Sequence, residues 1–97
     1  MARLYVFARF HARTGREDAA AAAIRKVAGP TRAEPGCLVF HAFRSTRDKC
    51  LFYIHSTWRH EAAFERHAAL PHTVRFLAEM ERLIDRPREV TRTTKLL

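Results

Sequence analysis

Residues Trp58 to Phe76 read W-R-H-E-A-A-F-E-R-H-A-A-L-P-H-T-V-R-F. The stretch starts on the end of an apolar, alternating run, Leu51 to Trp58, and passes into a helical pattern that Leu70-Pro71 interrupts. A residue before proline avoids the helical region, whereas proline itself suits the first position of a new helix. The pattern therefore predicts a strand leading into a split helix. Its first part runs from about His60 to Ala69, with Ala63, Phe64 and His67 on one side. The second starts at Pro71, carries Val74, Phe76, Leu77, Met80, Leu83 and Ile84 as an apolar stripe, and is ended by Pro87. The same stretch gathers a Trp, two Phe and three His. Imidazole can act as acid or base near neutrality, and aromatic rings supply flat walls for an aromatic ligand.

Upstream of it, Cys37 to Thr46 and Cys50 to Arg59 are two β-rich runs around the polar loop Arg47-Asp48-Lys49, a predicted hairpin. Pairing Ser45 with Cys50 puts Val39, His41 and Phe43 on one face with Phe52, Ile54, Ser56 and Trp58. Slipping that register by one residue would exchange the faces. With Cys50 opposite about Ser45, Cys37 lies eight residues along the strand, roughly 27 Å at strand rise. A bridge needs Cα atoms within about 7 Å, so no internal disulfide is expected, in keeping with a reducing compartment.

Residues 3 to 12 alternate, with Leu4, Val6, Ala8, Phe10 and Ala12 on one face and Tyr5 and Phe7 on the other, which predicts a first strand. Thr14-Gly15-Arg16-Glu17 fits a capping box, and the helix it opens carries Ala20, Ala23, Ile24, Val27 and Ala28. Gly29-Pro30 is expected to end or kink that helix, because Pro30 lacks an N–H and clashes with the preceding turn. Pro35-Gly36 closes the connection, and Val90 to Leu97 reads as a last strand. The order is β-α-β-β-α-β, which predicts an α+β, ferredoxin-like fold with two helices on one face of an antiparallel four-stranded sheet. Two helices cannot cover both faces. Tyr5, Phe7, Phe40 and Tyr53, read as the uncovered side, would form an exposed apolar patch whose simplest cover is a second copy of the sheet.

Ninety-seven residues make one domain, residues 1–97, small enough that self-association is an attractive way to bury more surface. Hydrophobic residues are 47% and charged residues 29% of the chain, an ordinary globular balance. The longest apolar run, Ala19 to Ile24, is far too short for a membrane span, and the charged N-terminus is no signal peptide, so a cytoplasmic location is expected. The net charge of +8 comes mostly from Arg scattered from Arg3 to Arg92 beside acidic neighbours. With no Lys/Arg run and no RNP-like motif, it is read as a solvated surface, and neither nucleic acid nor membrane is an expected partner.

The chain resembles the antibiotic biosynthesis monooxygenase (ABM) domain family of dimeric α/β barrels over nearly its whole length. The residues that carry the likeness are Glu34-Pro35-Gly36-Cys37, Arg44-Ser45 with Asp48 and Phe52, and Trp58. Ala63-Phe64 with His67, then Pro71-His72 and Phe76, are the most specific part. The resemblance implies a homodimer whose C-terminal strands reach across to the partner, and a pocket between sheet and helices. Catalytic members oxygenate polycyclic phenols, anthrones or quinols with O2 and no metal, flavin or haem. The family also holds haem-degrading members and proteins with no established substrate. Where the family commonly has Glu two residues before the Trp, this chain has Ser56.

Oxygenation without a cofactor uses the substrate as electron donor, so the protein must supply a base, a dry aromatic pocket and something to steady the anion. His67 and His72 are the candidate bases. Trp58, Phe64 and Phe76 are the candidate walls, with Ser56 and His41 as hydrogen-bond partners to substrate. No cofactor and no metal are expected. His60-Glu61 begins like H-E-x-x-H, but Phe64 stands where the second His is required. No glycine-rich phosphate loop or G-x-S-x-G is present. A haem ligand would be a His on the last helix, and Arg75-Phe76-Leu77-Ala78 offers none. The expected function is monooxygenation of an aromatic phenol, quinol or anthrone. The alternative, which Ser56 favours, is a non-catalytic small-molecule-binding or stress-related protein that keeps the fold.

Overall fold

The computed structural model describes residues 2–97. Its elements run β1 (Leu4–His11), α1 (Glu17–Arg32), β2 (Cys37–Arg44), β3 (Leu51–Trp58), α2 (Glu61–Ala69), α3 (Pro71–Leu83) and β4 (Glu89–Thr93). The four strands form one antiparallel sheet in the order β2-β3-β1-β4, the ferredoxin-like arrangement with the second helix split at Leu70-Pro71. Among the described residues no helix is long and apolar enough to cross a membrane.

Alternation along β1 works as predicted. Leu4, Val6, Phe10 and Ala12 are buried on the helix side, while Phe7 faces out and is 51% exposed. The hairpin register is the one-residue slip of the expected one. Phe40 pairs with Ser56, Ala42 with Ile54 and Arg44 with Phe52, and the Ser45 N–H donates to the Leu51 carbonyl at 2.9 Å. The slip puts Phe40 inside, packed in the core, and sends Val39, His41 and Phe43 to the outer face with Tyr53 and His55. The loop is its cause. Ser45 Oγ accepts from the N–H groups of Arg47 and Asp48, and Asp48 Oδ1 accepts from the Cys50 N–H, so Cys50 belongs to the turn and pairing starts at Leu51. Cys37 and Cys50 are both free thiols.

The helices correct the expectations at their ends. Thr14 does not cap α1: Arg16 is the N-cap, without a side-chain bond, and Glu17 Oε1 instead accepts from the Gly15 N–H at 2.7 Å. Gly15 has φ +89°, a left-handed conformation open to glycine at no steric cost. Pro30 does not end α1, which continues to Arg32. Proline removes one backbone bond, and the last turn is held by other means. Thr31 is fully buried there, and the Arg32 guanidinium donates to the Phe40 carbonyl at 3.1 and 2.7 Å. In α3 the buried line is Thr73, Phe76, Met80 and Leu83, and Val74 is exposed instead of joining it. That helix stops at Leu83, before Pro87, because Ile84 turns extended and bridges Ala12.

Two devices fix α2 against the sheet. A Cβ on Gly36 would collide with the Cβ of Ala63, so only glycine lets the helix approach β2 this closely. From the other side Arg92 of β4 bonds Glu61 and Glu65 at 2.8 and 2.7 Å, with its guanidinium 5.0 Å over the Phe64 ring. β4 itself pairs with β1 of the same chain over Glu89–Thr93, shorter than the predicted strand, and Leu96 and Leu97 are fully exposed beyond it.

Candidate functional site

Between the inner face of the sheet and the two short helices lies a cavity of about 250 Å³. Its walls are apolar: Val6 and Phe10 of β1, Phe40 of β2, Ile54 of β3, Phe64 of α2 and Phe76 of α3. Against them stand the polar side chains of Thr31, Ser56, His67 and Thr73, with Arg88 near the exposed Val90. Of the residues singled out from sequence, Ser56, Phe64, Phe76 and His67 line this cavity together. Trp58 stands behind the wall, fully buried, its Nε1–H donating to Ser56 Oγ at 2.9 Å and its ring centroid 4.6 Å from that of His67. His41 does not join them. The register slip places it on the outer face of the sheet, exposed, edge-on to Phe43 at 6.3 Å.

The break at Leu70-Pro71 folds α3 back so that His67, near the end of α2, and His72, in the first turn of α3, meet one carboxylate. That carboxylate is Glu34, from the turn between α1 and β2. Glu34 Oε2 accepts from His67 Nδ1 and from His72 Nε2, each at 2.7 Å, and the Glu34 side chain is only 9% exposed. Thr73 Oγ1 lies 3.2 Å from the same His67 Nδ1. Nδ1 is committed to Glu34, and Nε2 makes no hydrogen bond among the described residues. Burial pushes the His67 pKa below its ordinary value. The bond to Glu34 pulls upward without offsetting that, and the nearby His72 adds to the lowering. A neutral imidazole with a fixed tautomer and one free lone pair is what a base requires. His72 is placed differently. It lies on the far side of Glu34 and borders a groove of about 410 Å³ between α1 and α3, with Lys26, Pro30 and Arg75.

The ligand-type atoms of Glu34, His67 and His72 lie within 4.8 Å of one another, so this is also where a cation could be held. A metal there would have to replace both N–H···O bonds. No sequence spacing announces the trio, since Glu34 is 33 residues from His67. Glu34 was legible only as part of Glu-Pro-Gly-Cys, an acid just ahead of a turn. Thr31 also goes unremarked in the sequence, although it continues the buried i+4 step from Val27 on α1. Its hydroxyl is buried and has no hydrogen-bond partner among the described residues.

A second histidine–carboxylate cluster lies away from the cavity, where β1 ends. His11 Nδ1 is 2.9 Å from Asp85 and Nε2 is 2.8 Å from Asp48, and its pKa is raised, by the Asp48 bond first and the Asp85 bond next.

A model of the antibiotic biosynthesis monooxygenase family matches residues 3–79. In sequence the chain is similar to Rv0793 of Mycobacterium tuberculosis, 31% identical over 86 residues, which is 89% of this chain and 84% of that one. The solved structure of Rv0793 has a TM-score of 0.92 at 28% identity, covering 98% of this chain and 96% of the other. The crystal structure of PA3566 from Pseudomonas aeruginosa is equally near, with a TM-score of 0.92, 31% identity, and coverage of 100% and 97%.

Proposed function

The chain belongs to the antibiotic biosynthesis monooxygenase family, and from that premise we propose that it oxygenates a small aromatic phenol or quinol with O2, drawing electrons from the substrate itself. One observation carries the reading: His67 lines a largely apolar cavity and makes no hydrogen bond through Nε2 among the described residues, while Nδ1 is fixed on Glu34, whose side chain is 9% exposed. His67 takes the phenolic proton at Nε2, and the resulting imidazolium is steadied by the Glu34 carboxylate. The electron-rich ring anion reduces O2, and its carbon forms a bond to oxygen. Protonation of that peroxide from His67 lets the O–O bond break with loss of water, leaving a carbonyl where a ring C–H stood. One substrate and one O2 thus give one quinone-type product and one water. The largely apolar walls favour the step by limiting the water around the anion and the peroxide.

The rival, a binding protein without chemistry, drew its support from Ser56 replacing a carboxylate. Ser56 is engaged with Trp58, and a carboxylate reaches the histidine from Glu34 instead. The test is oxygen uptake with small hydroquinones and phenols. The proposal expects uptake above the buffer rate together with binding. Binding without uptake would favour the rival.

We further propose that the outer sheet face closes against a second copy. Phe43 and Tyr53 are 54% and 42% exposed beside Phe7, a patch that none of the described elements covers. Sedimentation at micromolar concentration should give twice the 11.2 kDa chain mass, and a stable monomer would rule the pairing out.

A further inference from the structure

The carboxylate that anchors His67 is shared with a second imidazole. Glu34 Oε2 lies 2.7 Å from His67 Nδ1 and 2.7 Å from His72 Nε2, and the three ligand-type atoms lie within 4.8 Å of one another. They come from the turn between α1 and β2, from α2 and from α3, so the backbone brings them together from three sides. Fixing the tautomer of His67 needs only Glu34, and His72 adds another ring nitrogen at the same point. Two imidazoles and one carboxylate are a donor set that holds zinc with a further position open. Ligand atoms on a tetrahedral zinc stand about 3.3 Å apart at bonds of about 2.0–2.2 Å. Glu34 Oε2 therefore has to withdraw from each ring by roughly half an ångström, a small movement for a carboxylate on a turn. His72, 18% exposed, borders the groove between α1 and α3, which gives an ion a way in. Lys26 and Arg75 line that groove too, and their charge disfavours a hard cation drawn in by field alone. Imidazole nitrogens instead select a transition ion over Mg2+ or Ca2+.

We propose that Glu34, His67 and His72 form a zinc site, and that Zn2+ bound there switches His67 off as a base. The switch is a change of tautomer. A carboxylate only accepts, so without the ion the neutral His67 ring carries its proton on Nδ1 and its lone pair on Nε2. Zinc bonds to a ring nitrogen through the lone pair, so Nδ1 has to give up that proton to solvent while Nε2 takes one up. The ring stays neutral and no proton is gained or lost overall. Nε2 now carries an N–H, however, and cannot accept the phenolic proton. His72 makes the same exchange, from Nε2 to Nδ1. Zinc in this role is a reversible inhibitor and takes no part in the oxygenation. The site stands on the donor geometry, whereas its effect on turnover rests on the reading of His67 as the base.

Titration calorimetry of zinc chloride into the full chain at neutral pH should show one Zn2+ bound per chain, and magnesium chloride should show no binding. His67→Ala, His72→Ala and Glu34→Gln should each weaken zinc binding by more than about 100-fold, beyond the cost of losing an outer partner of a metal ligand. His41→Ala, on the outer face of the sheet, should bind zinc as wild type does. Binding that survives in the three site variants places the ion elsewhere and overturns the proposal, as does a wild type that binds no zinc. Nitrogen-15 NMR of the histidine rings tests the switch in wild type, with no variant that has to fold. The His67 signals should pass from the Nδ1–H to the Nε2–H pattern as zinc is added, and an unchanged tautomer overturns the switch. Oxygen uptake with a hydroquinone should fall about 100-fold or more at saturating zinc, as on losing a general base, and return with a chelator. Zinc has no redox chemistry of its own, so it does not oxidise the quinol itself. Full turnover with the site occupied overturns the switch. A chain that consumes no oxygen with or without zinc would instead remove the proposed activity, while calorimetry and NMR still decide the site.

Discussion

His11 and His67 are both held by carboxylates at hydrogen-bond distance, yet the two sites push their imidazoles in opposite directions. His11 lies between Asp48 and Asp85, one on each ring nitrogen. Only the imidazolium can donate to both, so the charged form is favoured and its pKa rises. No nitrogen is left over, and the ring serves to tie the end of β1 to the hairpin loop and to the segment after α3. At the other site one carboxylate is shared by two imidazoles, in a place that water scarcely reaches. Desolvation is the larger influence there, and His67 is held in its neutral form. The contrast shows that proximity to a carboxylate does not define a base. The number of carboxylates per ring, the burial, and a free nitrogen on a cavity decide between a clamp and a base.

The contrast is broken most directly by removing each ring in turn. His67→Ala should cost about 10²–10⁴-fold in turnover, the usual effect of losing a general base. His11→Ala should leave turnover within about threefold, since the ring is remote from the cavity. Oxygen uptake with a bound quinol checks both. Comparable losses in the two variants would mean that His67 acts through stability alone.

Glu34 and His72 sharpen it further. Glu34→Gln should lower turnover by about 10–100-fold, because the tautomer and orientation of His67 lose their anchor. It should also move the acid limb of the kcat/KM profile to lower pH. Neutral His67 is the active form, above a pKa already below about 6.5, and Glu34 is what pulls that pKa upward. His72→Ala should cost less, about tenfold at most, and shift the limb the opposite way, since His72 contributes to the lowering. Limbs that move together, or not at all, would detach the trio from the reaction.

The fold was largely legible because period and punctuation agreed: alternation in β1 and β3, Pro71 as a helix start, and the order of elements. The hairpin register was not. It depended on Ser45 and Asp48 binding backbone in the loop, a local competition that alternation cannot see. That single slip moved His41 out of the site and Phe40 into the core. His67, Phe64 and Phe76 were visible because one helix stripe carries each of them inward. Glu34 and Thr31 were not, for opposite reasons: the acid reaches its histidines across 33 and 38 residues, and the threonine hides in an apolar stripe.

The smallest effect separates the clamp from the base by the sign of a slope. His11 has a raised pKa in the folded chain, so its contribution to stability is full below about 6.5 and is lost as pH rises through the folded value. Asp48 is held below its usual range, by the Cys50 backbone bond first and His11 next, and Asp85 by its bond to His11 first. Their contributions are present above about 3.9 and fade as pH falls through the folded values. The cluster therefore acts most strongly between these limits. Both carboxylates are partly exposed to solvent, so the effect is modest, a few degrees in Tm at best. Thermal melts should show wild type above His11→Ala by that margin near pH 5.5, with the gap closing by pH 9. For His67→Ala the pH dependence should reverse. A buried histidine with a lowered pKa penalises the folded state as pH falls below 6.5, so wild type loses ground to the variant on the acid side. If both variants show the same slope, the two clusters are electrostatically alike, and the distinction between clamp and base would have to rest on the cavity alone.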